Sequence, residues 1–199
     1  MDYWNHNVHY QPVILESVPP GCGVALDVGC GDGMLACKLA ARCAEVTGID
    51  RDTRMITLAR ERAKASALAN VEFVEADFRG YPLNEDTFDF VCANTSLHHM
   101  DFAAALTELA RVLRPGGHLA IVGLAADKSA GDRIVGATGI PAVLFYRMTR
   151  RKAGPGGVPI MDPDMSWREV RATAQRILPG VRYRRHLMWR YSLRWRKPA

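Results

Sequence analysis

The chain of 199 residues has no apolar run approaching the roughly 20 residues needed to cross a bilayer. Its first residues, Met1-Asp2-Tyr3-Trp4-Asn5-His6, lack the basic stretch and apolar core of an export signal. Both absences point to a cytoplasmic protein without a membrane partner. The five cysteines, Cys22, Cys30, Cys37, Cys43 and Cys92, are odd in number and never spaced as C-x-x-C. This argues against a disulfide framework or a zinc site and for reduced thiols packed as small core residues. Internal repeats and low-complexity tracts are also missing. Acid is scarce in one region only: Arg147–Ala199 holds 14 Lys+Arg and 3 Asp+Glu, whereas Met1–Tyr146 holds 12 and 18. The two parts carry +11 and −6, summing to the net +5. Either an anionic partner or a solvated basic surface accounts for such asymmetry.

What is present is ordinary globular composition, 48% apolar and 24% charged, in a length that suits one domain. Strand-like and helix-like segments alternate through the first two thirds, which predicts an α/β layer fold with a parallel sheet. Strands are expected at Val24–Val28, Val46–Asp50, Val71–Glu75, Phe88–Asn94 and His118–Leu124. Helices are expected from Met34 to Arg42, from Asp52 through Arg62, and from Asp101 to a stop at Pro115-Gly116-Gly117. Beyond Leu124 a glycine-rich stretch encloses the apolar Val143-Leu144-Phe145-Tyr146. Ser166-Trp167-Arg168-Glu169 is a capping box opening a helix that ends near Leu178-Pro179-Gly180. Val181–Arg185 and Arg190–Arg196 then suit a closing antiparallel pair. In the second, Tyr191, Leu193 and Trp195 fall on one face and Arg190, Ser192, Arg194 and Arg196 on the other.

The most informative segment is Ala25-Leu26-Asp27-Val28-Gly29-Cys30-Gly31-Asp32-Gly33. An apolar run of this kind suits a parallel strand buried on both faces. Glycines at its carboxyl end permit a sharp turn and close approach of the backbone to a ligand. The dinucleotide fingerprint is G-x-G-x-x-G, and here Met34 stands where its third glycine would be. A second strand, Val46-Thr47-Gly48-Ile49-Asp50, ends in an acid 19 residues after Gly31, and the third is followed by Glu75-Ala76-Asp77-Phe78.

Together with Thr87-Phe88-Asp89-Phe90-Val91-Cys92-Ala93-Asn94 and Leu113-Arg114-Pro115-Gly116-Gly117-His118-Leu119, this series resembles the class I S-adenosylmethionine-dependent methyltransferases over about Gly21–Leu124. The resemblance implies a Rossmann-like, seven-stranded, mostly parallel sheet with helices on both faces and an antiparallel last strand. It also implies S-adenosylmethionine as cofactor and S-adenosylhomocysteine as product. Gly29, Cys30, Gly31 and Gly33 would then line the methionine end, with Asp27 near the ammonium and the Asn94 carbonyl receiving it. Asp50 would accept hydrogen bonds from the ribose hydroxyls, Asp77 and Phe78 would meet the adenine, and Arg51 and Met55 would complete the cofactor-binding set. Thr95, His98 and His99 would face the substrate.

Methyl transfer is an in-line displacement at a sulfonium, so alignment of the acceptor and exclusion of water dominate. A hydroxyl or ammonium acceptor must also lose a proton, a task suited to histidine near neutral pH, and His98 or His99 is the candidate base. Packing under the next helix is the alternative role for both. Tyr3, Trp4, His6 and Tyr10 belong to an aromatic segment expected to close the site. No carboxylate cluster remains for a metal once the cofactor positions are assigned.

Four parts of one domain follow: an arm at 1–20, the cofactor-binding core at 21–124, a substrate cover at 125–165, and a closing helix and strand pair at 166–199. A small-molecule acceptor is the leading expectation. A nucleic-acid methyltransferase using the basic C-terminal third, with Arg150-Arg151-Lys152 and the Trp189–Arg196 interleaving, is the alternative. The N-P-P-Y-like tetrapeptide of base-amino enzymes is replaced by Asn94-Thr95-Ser96-Leu97. Monomer and homodimer both remain open.

Overall fold

The computed structural model describes residues 3–129, 131–132 and 163–199, with only the backbone at residue 99. Most of the expected cover, including Val143–Tyr146 and Arg150–Lys152, lies outside the described residues.

Seven strands form one sheet: β1 (Val24–Val28), β2 (Glu45–Asp50), β3 (Val71–Glu75), β4 (Phe88–Asn94), β5 (Leu113–Leu124), β6 (Arg182–Arg185) and β7 (Arg190–Arg196). Their order is β3-β2-β1-β4-β5-β7-β6. The first five pair in parallel, while β7 runs antiparallel to both β5 and β6. The chain winds outward from β1 to β3, then crosses back to place β4 on the other side of β1. That reversal opens a crevice beyond the carboxyl ends of β1 and β4, where a ligand can enter between diverging connections.

The helices start where side-chain caps dictate. Asp52 accepts the Arg54 and Met55 amides at 2.9 and 3.2 Å and starts α4 (Thr53–Ala65), which follows α3 (Met34–Leu39). Asp101 caps α5 (Phe102–Val112), and the reciprocal Ser166–Glu169 box opens α6 (Trp167–Ile177). Each cap satisfies amides that the first helical turn leaves without intrahelical partners. Leu26, Val91, Ile121 and Leu193 pack with α5 and α6 on one sheet face. Ala25, Val46, Phe90 and Val122 pack with α3, α4 and the N-terminal arm on the other.

Three expectations need correction. The first helix stops at Leu39, short of Arg42. Pro115-Gly116-Gly117 does not end the fifth helix, which has already stopped at Val112; it forms an irregularity within β5, so that Phe88 faces Leu113 but Phe90 faces His118. Gly116 has φ +79° and donates its N–H to the Lys197 carbonyl at 2.9 Å, tying this irregularity to the chain end. The polar face of β7 is also not uniformly solvated: Arg190 and Ser192 are buried, and only Arg194 and Arg196 are exposed. The arm accounts for this. It folds into α1 (His6–His9), capped by Asn5, and α2 (Gln11–Leu15), and Asn7 covers the start of β7.

Leu106, fully buried in α5, tests how far the sheet depends on this helix. Leu106→Ala is expected to lower unfolding free energy by about 2–5 kcal/mol. Urea denaturation should show a lower midpoint with an unchanged slope.

Candidate active site

The site begins with backbone that only glycine tolerates easily. Gly29, Gly31 and Gly33 have φ +70°, +54° and +74°. A Cβ at Gly29 would overlap the Ser96 side chain, and one at Gly33 would lie 2.7 Å from both Ala59 and Phe73. The space above Gly31 is open, with nothing within 4 Å. Two of the three glycines therefore serve close packing, and the middle one leaves room for a ligand.

Neighbouring strand ends hold the loop. The Gly29 and Cys30 amides both donate to the Ile49 carbonyl, at 2.8 and 3.1 Å. Asp50 accepts the Gly31 amide at 2.9 Å on one carboxylate oxygen and the Asp52 amide at 3.0 Å on the other. Ser96 donates its hydroxyl to the Val28 carbonyl at 2.6 Å, joining the ends of β1 and β4. The Cys30 side chain is buried, so this residue offers the crevice its backbone.

Asp27 lies at the base of the loop and is fully buried. One carboxylate oxygen accepts the Cys92 thiol at 3.5 Å, and the other is buried without a hydrogen bond. Burial pushes its pKa up to about 7, opposed by the thiol hydrogen bond and the nearby Ala36 amide and reinforced by the Asp50 charge. A buried acceptor left open in this way suits a cationic donor.

An open cleft extends from the loop toward β2 and β3, lined by Gly29, Asp50, Arg51, Asp77, Phe78 and Ser96. Asp77 is gripped by Arg79, whose Nε and Nη2 donate at 3.0 and 2.6 Å and whose backbone amide donates at 3.0 Å. This partner holds the carboxyl down to about 2. A ligand engaging the Asp77 carboxylate must therefore share it with Arg79, or displace it. Met55 is buried on the first turn of α4 and does not line the cleft.

On the other side of the crevice, Asn94 ends β4 and Thr95 turns with φ +61°, an unusual conformation for a β-branched residue. The Thr95 amide donates to the Val122 carbonyl at 2.7 Å, which holds the turn against β5. The half-buried His98 sits in the short 3₁₀ turn Leu97–His99 that follows; the His99 side chain lies outside the described residues.

The arm meets the glycine loop and β4 through Tyr3, one of the aromatic residues expected there, and through Asp32, Arg62 and Asn7, which sequence spacing did not single out. Tyr3 donates its hydroxyl to Asp32 at 3.2 Å, and Arg62 pairs with the same carboxylate while donating Nε to the Asp32 carbonyl at 3.0 Å. Asp32 is thus a buried anchor between arm, glycine loop and α4. Trp4 packs edge-on against His6 and His9, and the buried Tyr10 donates to the Leu187 carbonyl at 2.8 Å. Asn94 donates to the Asn7 carbonyl at 3.2 Å, and Asn7 in turn accepts from Arg190 at 2.7 Å. A polar residue within a short aromatic arm was the available signal for Asn7; nothing in sequence spacing connects Arg190 to it.

Three basic residues of the C-terminal third form ion pairs within the chain, while Arg168, Arg171, Arg176, Arg182, Arg184 and Arg196 are exposed. Arg185 bonds Asp127 and Asp132 and lies 3.8 Å over the Trp167 ring, Arg194 pairs with Glu16 at 3.6 Å, and Lys197 pairs with Asp86 at 2.8 Å. Among the described residues no His, Cys, Asp or Glu cluster could hold a metal, and no helix is long and apolar enough to cross a membrane.

A glycine loop at the switch point of a doubly wound sheet, with acids at or just beyond three successive strand ends, defines a cofactor-binding α/β enzyme. The methyltransferase domain pattern matches residues 26–121, the part that contains these features. An uncharacterized methyltransferase of Mycobacterium tuberculosis is 34% identical over 200 residues, covering 98% of each chain. The 27-O-demethylrifamycin SV methyltransferase of Amycolatopsis mediterranei is 37% identical over 142 residues, which are 65% of this chain and 52% of that one. A SAM-dependent methyltransferase from Aquifex aeolicus shares the fold, with TM-score 0.64 and 22% identity over 94% of this chain and 88% of that one. The chain belongs to the class I S-adenosylmethionine-dependent methyltransferases, and S-adenosylmethionine is its cofactor.

The raised pKa of Asp27 has a thermodynamic consequence. Its folded-state carboxyl titrates near 7 against an ordinary 3.8, so the folded protein keeps a proton that the unfolded chain releases. Its contribution to stability is full below pH 3.8 and is lost as pH rises to about 7, amounting to about 4 kcal/mol. Asp27→Asn should therefore be more stable than the parent at pH 8, and the difference should shrink as pH falls through 7. Urea denaturation of both proteins across pH 5–8 checks this.

Proposed function

We propose that this enzyme methylates a small-molecule acceptor, with Asp27 holding the cofactor's ammonium. The buried, unbonded carboxylate oxygen of Asp27 beneath the glycine loop carries this reading. In a site of low polarity an ammonium satisfies that oxygen and favours its charged form. The open face of Gly31 gives the methionine portion a place beside the backbone, while the close-packed Gly29 and Gly33 keep the loop in shape. Asp50 uses both oxygens to fix nearby amides, and its remaining lone pairs are available to the ribose hydroxyls. Asp77 and Phe78 at the far end of the cleft suit the adenine, and Arg51 lines the same cleft.

The bound cofactor supplies an electrophilic methyl group on a sulfonium. The protein's part is to align the acceptor, exclude water and remove a proton where the acceptor carries one. Thr95 and His98 follow β4 on the acceptor side, and His98 is the proposed base. The arm, through Tyr3, Trp4, His6 and Tyr10, closes the crevice. The rifamycin enzyme's name supports a small-molecule acceptor.

Two substitutions separate binding from chemistry. Asp50→Ala should weaken S-adenosylhomocysteine binding at least tenfold by calorimetry, with no NAD binding by either protein; unchanged affinity would refute the assignment. His98→Ala should leave that affinity intact. With the acceptor identified by a screen of hydroxyl and amine compounds, it should lower turnover by about 10²–10⁴-fold and flatten the acidic limb of the pH–rate profile. A profile that keeps its limb removes His98 from the base role.

A further inference from the structure

Arg190, the first residue of β7, is only 7% exposed, yet among the described residues it has no acidic partner. Nη2 donates to the Asn7 side-chain carbonyl at 2.7 Å and Nη1 to the Met188 carbonyl at 3.1 Å. Nε is buried and makes no hydrogen bond. Burial lowers its pKa to about 10. Arginines this deeply buried are normally matched by a carboxylate or phosphate, because a desolvated guanidinium with two neutral acceptors is poorly compensated. Outside the described set, residues 1–2, 130 and 133–162 contribute two acids, Asp2 and Asp162.

The surroundings favour a built site. Met188 and Trp189 are consecutive residues with φ +56° and +57°, in the turn closed by the Arg190 amide on the Leu187 carbonyl at 3.4 Å. Tight hairpin turns of this geometry prefer Asn-Gly, and two bulky side chains there are strained. The turn is held by Tyr10 on the Leu187 carbonyl and by the Trp189 indole, which donates to Asp127 at 2.8 Å. In this conformation the Met188 carbonyl reaches the guanidinium while Nε stays open.

Position then separates the two sources of an anion, the acceptor and the cofactor. Arg190 pairs with Leu124 at the carboxyl end of β5. In the order β1-β4-β5-β7 it lies three strands from the glycine loop, about 14 Å at ordinary strand spacing. The Asp50–Asp77 cleft lies on the opposite side of β1. Through Asn7, Arg190 is linked to Asn94, where the acceptor side of the crevice begins.

We propose that Arg190 recognises a carboxylate on the methyl acceptor, held beneath the N-terminal arm. This inference deepens the methyl-acceptor reading above and rests on it. The planar fork of the guanidinium suits two parallel hydrogen bonds to a carboxylate. Asn7 fixes the orientation of that fork, and the acceptor is thereby a small organic acid.

The test uses the whole chain labelled at arginine Nε with nitrogen-15, the Arg190 resonance being assigned by its loss in Arg190→Lys. With saturating S-adenosylhomocysteine, benzoate should shift the Arg190 Nε–H resonance and benzamide should not. The benzoate dissociation constant should rise at least tenfold in Arg190→Lys. S-adenosylhomocysteine affinity should stay within twofold of the parent in Arg190→Gln, or in Arg190→Lys if the glutamine variant does not fold. A tenfold loss of that affinity would assign Arg190 to the cofactor's carboxylate and overturn the proposal. So would a resonance insensitive to benzoate, or one that moves in the free protein on Asp2→Asn or Asp162→Asn, which marks an internal ion pair. Failure of the parent to bind S-adenosylhomocysteine would instead refute the reading of the glycine loop and leave the benzoate response as a separate result.

Discussion

The site depends on how closely the ends of β1 and β4 approach each other. A Cβ at Gly29 would lie 2.2 Å from the Ser96 Cβ, and the Ser96 hydroxyl bonds the Val28 carbonyl at 2.6 Å. Because Gly29 has no side chain, the chain leaves β1 with a left-handed turn and still passes under Ser96. The Ile49 carbonyl then receives the Gly29 and Cys30 amides, and Asp50 receives Gly31. One steric condition therefore links three parallel strands at the carboxyl edge of the sheet. A larger residue at 29 would separate the strand ends and move every acid that reaches the crevice from β1, β2 and the turn after β3.

Charge across this edge follows a division of labour. Asp32 and Asp77 have arginine partners, Arg62 and Arg79, and Asp50 is satisfied by backbone amides. Asp27 has a thiol on one oxygen and nothing on the other. Arg190 presents the reverse case, a buried cation whose described partners are neutral. These two uncompensated groups flank β4 and β5, one on each side. Structural ion pairs need no ligand to complete them, whereas Asp27 and Arg190 are each short of a charge of opposite sign. On the proposed reading this imbalance gives the crevice a direction, a cation at the glycine loop and an anion under the arm.

What acts locally in this fold is legible in the sequence, and what depends on distant segments is not. The glycine spacing, the acids at positions 50 and 77 and the capping residues Asp52, Asp101 and Ser166 act locally, so their sequence patterns carry their structural roles. The limits of strand β1 and of the Phe88–Asn94 strand were legible for the same reason: buried parallel strands are short apolar runs bounded by turn chemistry. Asp32 carries no signal in the sequence, because its partners, Tyr3 and Arg62, come from distant segments. Arg190 sat on the solvent face by strict alternation, but alternation assigns a face without saying what covers it. The arm covers that face, and its docking relies on single side chains such as Asn7 and Tyr10 that have no periodic signature. Pro115-Gly116-Gly117 was misplaced because breaker residues end a helix and distort a strand equally well, and only pairing with β4 and Lys197 distinguishes the two.

The closure proposed for the arm would be reversible. Its attachment combines the buried Ile14 and Tyr10 with polar links at Asp32, Asn94 and Arg190. The neutral link at Asn94 contributes only about 0.5–1.5 kcal/mol and the links to the charged Asp32 and Arg190 about 1.5–3 kcal/mol each, because water competes for the same groups when the arm lifts. The apolar anchor lies in α2 and at Tyr10, whereas the links nearest the crevice come from Tyr3 and Asn7 and are polar. An arm built this way can release its tip while keeping its base seated, a local opening that costs far less than unfolding the sheet. Access to the crevice would then be controlled by the same residues that orient Arg190, coupling admission of an acceptor to recognition of its charge.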